Sequence, residues 1–390
     1  MKKRTLAILV AVTLFGTSTA FSQNVLAASY VCAPTAGHHC YGVAIWTGTP
    51  SNSGSYVYLY SVCLSGPNDS TNFANQELWE GTDNSTNFAY WVEEGMRYGE
   101  INGTQKGGPY WFWADNRPNG GGYHEHSGGS VSTYTSYLAE IFYVSNNQWY
   151  LYENTTHVGT STYNPPYSRS LETGEEFTSN SVSLKASSDD LSWFDTSGGN
   201  HANWESGSNY SSVYYTPNSP AYAYWNTAYN SVESKAYCGL TPASPLAGNG
   251  SSRPLPVMPV HTTAEPTKLT NSISPVPASA VSALVAMSRT MAANAGATSV
   301  TLSQAVLTTR QQANTIASGA GVNSDQAVYL VQDQGHFTAL NASVPQGQGS
   351  PVGHYLTFTV DASSGAVLDW GVSENQGNLS ALGPVTSLSQ

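Results

Sequence analysis

The sequence predicts a mainly β protein: an antiparallel β-sandwich of the jelly-roll, concanavalin-like kind, followed by a small α+β domain. Three observations predict it. Residues 28 to about 240 hold short aromatic-rich runs of strand character, such as Tyr56-Val57-Tyr58-Leu59-Tyr60 and Tyr110-Trp111-Phe112-Trp113. Gly-Gly, Asn-Gly and Asn-Asn pairs separate these runs as turn signals. Residues 276–390 are instead rich in Ala and Val and nearly free of Trp and Tyr, which marks a second unit.

The chain opens with Lys2-Lys3-Arg4, a short apolar run from Leu6 to Phe15, and Val25-Leu26-Ala27. Charged, apolar and small-residue regions in that order predict a signal peptide over 1–27, too short in its apolar part to span a bilayer. The mature chain is therefore expected to be secreted, with no membrane partner after cleavage. The 390 residues hold 13 Lys and Arg against 25 Asp and Glu, for a net charge of −12. Three of those cations lie in the leader, so no basic patch of nucleic-acid-binding size can be assembled.

Cys32, Cys40, Cys63 and Cys238 all follow the leader. An even number in an exported chain predicts disulfides, with three connectivities open. Cys32 and Cys40 could close a small loop, and Cys63 with Cys238 would then tie the start of the sandwich to its end. No Cys-x-x-Cys pair favours zinc.

Further strands are expected at Tyr90-Trp91-Val92, Leu138 to Val144 and Gln148 to Tyr152. Pro242, Pro245, Pro254, Pro256, Pro259, Pro266 and Pro275 make 241–275 read as an extended linker. Beyond it, Val281, Leu284, Val285 and Met291 give Ala278–Asn294 helical spacing, with Pro277 before it and Gly296 after it. Thr301-Leu302-Ser303-Gln304 has the form of a capping box and predicts a second helix to about Ile316. Strands are expected at Ala327–Val331, Tyr355–Val360 and Ala366–Val372, with a turn at Asp361–Gly365. Val328-Tyr329-Leu330-Val331 and Thr357-Phe358-Thr359-Val360-Asp361 with Gly365-Ala366-Val367 resemble the PepSY-like modules of secreted bacterial proteins. That resemblance implies an accessory or inhibitory role.

Acids are few, so their places in strands matter. Period-2 alternation puts Trp91 and Glu93 on one face and Val92, Glu94 and Met96 on the other. With Val92 and Met96 inside, Glu93 stands on the outer face; a bulge would exchange the pair and keeps Glu94 a candidate. In Leu171–Phe177, Leu171 and Phe177 inside would leave Glu172 and Glu176 facing out. Two carboxylates converging on one hollow could hold a water between them and work as acid and base. Glu140 shares a face with Leu138 and Phe142, so it is either buried with a raised pKa or on the wet face of an edge strand. His124 and His126 alternate onto one face after Gly120-Gly121-Gly122; the spacing supplies no third metal ligand, and an exposed loop or a substrate contact is expected. Trp79, Trp91, Trp111, Trp113, Trp193 and Trp204 either pack between sheets or line a groove, with Trp91, Trp111 and Trp113 the candidate substrate-binding rings.

Val92-Glu93-Glu94-Gly95, Tyr98-Gly99 and Tyr110-Trp111-Phe112-Trp113-Ala114-Asp115 resemble the first active-site strand of neprosin-type glutamic peptidases. Gln148-Trp149-Tyr150-Leu151-Tyr152, Val158-Gly159 and Glu172-Thr173-Gly174-Glu175-Glu176 are similar to their Trp-Trp-Leu strand and Glu-Trp-Gly-Gly-Glu segment. The likeness covers roughly residues 70–200, and the fungal glutamic peptidases share the layout on a jelly roll. Glu94 replaces a small residue and Thr173 an aromatic one. The resemblance implies an endopeptidase working in acid near proline, with Glu93 and Glu172 catalytic, a polypeptide substrate and no cofactor or metal. A non-catalytic carbohydrate- or surface-binding module on the same sandwich, or a structural envelope protein, are the competing readings.

Overall fold

The structure, a computed structural model, describes residues 39–66, 72–102, 104–179, 183–202, 204, 212–215, 222–226, 231–236 and 274–388. The expected leader, the linker, Cys32 and Cys238 lie outside the described residues. Neither Cys40 nor Cys63 is a free thiol.

The described residues form nineteen strands: β1 (Cys40–Ser65), β2 (Phe73–Gly81), β3 (Trp91–Ile101), β4 (Thr104–Arg117), β5 (Gly122–Ser130), β6 (Ser136–Ser145), β7 (Gln148–Glu153), β8 (Thr156–Thr162), β9 (Ser168–Phe177), β10 (Ser183–Asp195), β11 (Asn200–Ala202), β12 (Ser212–Tyr215), β13 (Tyr222–Asn226), β14 (Ser231–Ala236), β15 (Val300–Thr309), β16 (Ala327–Thr338), β17 (Val352–Asp361), β18 (Val367–Ser373) and β19 (Thr386–Ser387). Each aromatic run read from the sequence lies in one of them, save that Tyr90 falls just before β3. All pairings are antiparallel, and two sheets result. The front sheet runs β12, the first half of β1, β9, β2, β3, β4 and β5. The back sheet runs β13, β14, β10, the second half of β1, β6, β7 and β8. Strand β1 passes from one sheet to the other, with its register on β9 breaking between Thr47 and Asn52.

Between the sheets lies a core of Trp46, Leu78, Val92, Met96, Trp111, Trp113, Ile141, Trp149, Leu171 and Phe177. At about 25 cal/mol per Å² of apolar surface, these large rings supply much of the driving force for closing the sandwich.

The C-terminal part is not merely appended. Strand β18 pairs with β5, Trp370 opposite Glu125 and Gly371 opposite His124, so the front sheet continues through β18, β17, β16 and β15. Helix α1 (Ala278–Asn294) has the bounds its spacing predicts, and Gly296 follows it with φ +70. It buries Leu284, Met291 and Ala292 against Val331, Leu356 and Phe358 on the face of this extension.

The helix expected from Thr301 is not formed. Residues Val300–Thr309 are strand β15, and helix α2 spans only Arg310–Ala317. Half of that strand (Val300, Thr301, Val306, Thr308, Thr309) is β-branched, and it gains a full ladder with β16, which outweighs the capping-box pattern. The true cap is Thr309, whose side chain accepts from the Gln312 amide at 3.3 Å.

Candidate active site

The outward face of the front sheet carries an acidic hollow. Pairing sets its floor in three rows. Trp79 on β2 lies opposite Glu93 of β3 on one side and Glu172 of β9 on the other. Two residues back, Glu77 lies opposite Gly95 and Gly174. Two further back, Asn75 lies opposite Arg97 and Glu176. Residues opposite one another across a ladder share a face, so Glu77 is central, with Glu93, Glu172, Glu176 and Arg97 at its corners.

The glycines make the hollow. A Cβ on Gly95 would stand 2.2 Å from the Gln76 carbonyl, and one on Gly174 2.3 Å from the Gly42 carbonyl. Gly174 also has φ +140, which side chains rarely adopt. Without side chains on either flank, the space over Glu77 stays open to other groups.

What fills that space comes from the far end of the chain. After β16 the chain turns at Leu340–Asn341 and runs without regular structure through Ala342–Pro345, all of which are buried. Ser343 Oγ donates 2.8 Å to one oxygen of Glu77 and lies 2.6 Å from Glu176 Oε2. Five main-chain groups of the segment are held by side chains of the sheet. The Ser343 amide donates to Tyr123 Oη at 3.1 Å, the Val344 amide to Glu176 at 3.2 Å, and the Gln346 amide to both oxygens of Glu172 at 3.1 and 3.2 Å. The Asn341 carbonyl accepts from Arg97 at 3.2 Å, and the Val344 carbonyl from Tyr41 Oη at 2.9 Å.

Neighbouring side chains hold these groups in turn. Arg97 donates to Glu125 at 3.1 Å and lies 4.0 Å over the Phe73 ring. Tyr123 Oη is 3.1 Å from Glu125 and 3.4 Å from Glu93, whose other oxygen accepts from Trp91 Nε1 at 2.9 Å. His39 Nδ1 lies 2.5 Å from Glu176.

Electrostatics follow from crowding acids into a dry space. Burial pushes the Glu77 carboxyl well above its usual range, and Glu93 and Glu176 push it further, against bonds from Ser343 and Asn75. Burial does the same to Glu93, aided by Glu176 and Glu125 and opposed by Trp91 and Arg97. Glu172 is raised by burial, with the Gln346 amide opposing and Glu176 adding to the rise. Raised carboxyls in one hollow can carry protons at mildly acidic pH, as acid–base chemistry requires.

Glu93 and Glu172 do share the outer face of the sandwich, but it is covered rather than wet: both are fully buried. They stand two strands apart, about 9.6 Å between backbones, with Trp79 between them. The single oxygen held by two carboxylates is found at Glu77 and Glu176 instead. Glu94 lies on the opposite face, within the sandwich, and accepts from the Glu140 amide at 2.7 Å. Glu140 is the buried case of its two readings, with burial pushing its carboxyl up to about 7.

Of the three candidate rings, Trp91 belongs to the hollow. Trp111 and Trp113 do not: they project to the other face and pack in the inter-sheet core. Trp113 is pinned there, since Gly159 leaves just the room its ring needs; a Cβ would come within 2.3 Å of it. The rings of Trp79, Trp193 and Trp204 are buried as well, so an open groove of tryptophans is not formed by them. His124 and His126 lie on a buried strand, not an exposed loop. His124 contacts the Gly121 carbonyl at 2.9 Å, and His126 contacts Asp369 of β18 at 3.2 Å.

Sequence reasoning missed Glu77 and the segment 341–346. The alternation Asn75, Glu77, Trp79 contained a signal for Glu77. Nothing local marks the segment.

No family model matches the chain, and no curated protein matches it. Among solved structures it is similar to scytalido-glutamic peptidase bound to a peptide-based transition-state analogue, at 12% identity and a TM-score of 0.31, over 50% of this chain and 97% of that one. It is also similar to SCP-B, a member of the eqolisin family of peptidases in complex with the tripeptide Ala-Ile-His, at 12% identity and a TM-score of 0.28, over 50% of this chain and 96% of that one. Likeness at this level bears on no residue's role.

Proposed function

We propose that the hollow is the active site of a secreted, glutamic-peptidase-like endopeptidase in which Glu93 and Glu172 form the acid–base pair. The observation that carries this reading is the binding of main chain by side chains. Three amides and two carbonyls of one irregular segment are held by Glu172, Glu176, Tyr123, Arg97 and Tyr41. Such contacts recognise a polypeptide whatever its side chains, and they place its backbone on the carboxylates. The neprosin-like order of Glu93 and Glu172 in the sequence, and their place on either side of Trp79, support the same pair.

In the reaction, one ionised carboxylate takes a proton from water as its oxygen attacks the substrate carbonyl carbon. The other, protonated, donates to the carbonyl oxygen. Collapse of the tetrahedral centre breaks the C–N bond as a proton passes to the leaving nitrogen. Arg97 and Tyr123 orient the backbone. The buried Pro345, beside the Gln346 amide on Glu172, supports a preference for proline near the cleaved bond.

The test is hydrolysis of casein in mildly acidic buffer by the full chain and by the full chain carrying Ser343→Glu, which sets a carboxylate against Glu77 and Glu176 to expel the segment. Cleavage by at least one form, lost with Glu93→Gln or Glu172→Gln, is expected. Folded protein that leaves casein intact in both forms contradicts the proposal, as does cleavage that survives both substitutions.

A further inference from the structure

We propose that residues Asn341–Gln346 are a tethered occupant of the acidic hollow, so that the protein closes its own peptide site. The ligand class of that site is then a peptide carrying a small hydroxylated residue over Glu77 and proline two positions on. The inference rests on the peptide-cleft reading above only in treating the occupant as substrate-like.

Three features separate this contact from ordinary packing. First, five main-chain groups of the segment are held by five ionisable side chains of the sheet, Arg97, Tyr41, Tyr123, Glu176 and Glu172, and by no ladder hydrogen bond. Three of them, Glu172, Glu176 and Tyr123, receive main-chain amides. The segment buries Ala342 and Val344 as any covering segment does, but it also satisfies buried carboxylates, which apolar cover alone does not. Second, Ser343 Oγ supplies a single oxygen between Glu77 and Glu176, at 2.8 and 2.6 Å, where a solvent oxygen would sit in an open cleft. Third, the segment is anchored on both sides by regular structure, β16 before it and β17 after it, and β18 ties that unit to β5. The occupant is therefore delivered at a fixed place.

A peptide added in trans must compete with this tether, whose effective concentration is on the order of millimolar, so its apparent affinity should fall by roughly 100-fold or more. The probe is a fluorescent peptide of sequence Asn-Ala-Ser-Val-Pro-Gln, read by anisotropy against the wild-type chain, Ser343→Glu and Gln346→Pro. The second variant removes the amide that Glu172 accepts and adds a proline ring at that place. Binding should be weak or absent in wild type and tighter by that factor in at least one variant. Equal affinity in all three, or no binding by variants whose circular dichroism matches wild type, overturns the proposal.

Amide exchange in the wild-type chain gives a measurement independent of any variant. Val344 and Gln346 should exchange at least ~100-fold more slowly than in the free peptide, as hydrogen-bonded buried amides do. Free-peptide rates overturn the proposal. Casein hydrolysis separates this idea from the peptidase reading. Variants that bind the peptide but leave casein intact refute only the peptidase. A wild-type chain that cleaves casein as fast as the variants refutes only the tethered occupant.

Discussion

The hydroxyl of Ser343 lies 2.6 Å from a carboxylate oxygen of Glu176, a residue 167 positions earlier in the chain. The same hydroxyl reaches both oxygens of Glu77, at 2.8 and 3.0 Å. One small side chain thus serves two buried acids, and the carboxylate hollow is complete only with the C-terminal segment in place.

Removing that hydroxyl should be costly out of proportion to its size. Ser343→Ala leaves Glu77 without its Ser343 donor in a site closed to water. A loss of about 1–3 kcal/mol is expected, read from the midpoint shift in urea unfolding. A change within error would mean that water reaches the hollow and replaces the hydroxyl.

Glu140 links stability to pH. Its folded pKa is raised to about 7 from the usual 4.5, because burial disfavours the charge. Between those values the folded chain binds more protons than the unfolded one, so stability falls as pH rises through the window. The loss from this group is about 3 kcal/mol when complete. Glu140→Gln should flatten that part of the profile and raise Tm at pH 8 relative to wild type, with little difference at pH 4. Parallel profiles for the two chains would show that the carboxyl is solvated.

Asp369 fastens the C-terminal strands to the sandwich. It accepts from Arg310 Nε at 2.9 Å, from His126 of β5 at 3.2 Å and from Asn314 at 3.1 Å, while Arg310 also donates to the Ser127 carbonyl at 2.7 Å. Burial alone would raise its pKa, but Arg310 and the bonds from His126 and Arg310 overcome this and hold it far below the usual carboxylate range. Asp369→Ala leaves the half of the pair on Arg310 uncompensated, and a loss of about 3–5 kcal/mol is expected. Denaturant unfolding checks it, and a cost under about 1 kcal/mol, the value of an exposed pair, would mean that the cluster is wet.

Much of this was legible because strands have an exact side-chain period. Alternation alone put Glu93 with Trp91, and Glu172 with Glu176, on the face opposite Leu171 and Phe177. It could not say which ring on an all-aromatic strand faces inward. In Tyr110-Trp111-Phe112-Trp113 both sets are large and apolar, and the structure turns Trp111 and Trp113 inward. Glu77 carries no motif beyond its alternation with Asn75 and Trp79, and its central place follows only from β2 lying between β3 and β9. The segment at Ser343 was illegible for a different reason: its partners lie up to 303 positions away, and its own sequence has no periodicity. The helix expected from Thr301 failed because a local capping pattern competes poorly with a ladder that β-branched residues favour.

The most direct measurement is casein hydrolysis in mildly acidic buffer by the full chain carrying Ser343→Glu. The expected result is cleavage that falls by roughly 100-fold or more with either Glu93→Gln or Glu172→Gln, the loss typical of removing a general acid or base. Cleavage unchanged by both substitutions, or none at all from a chain whose fold is intact, would contradict the assignment of the pair.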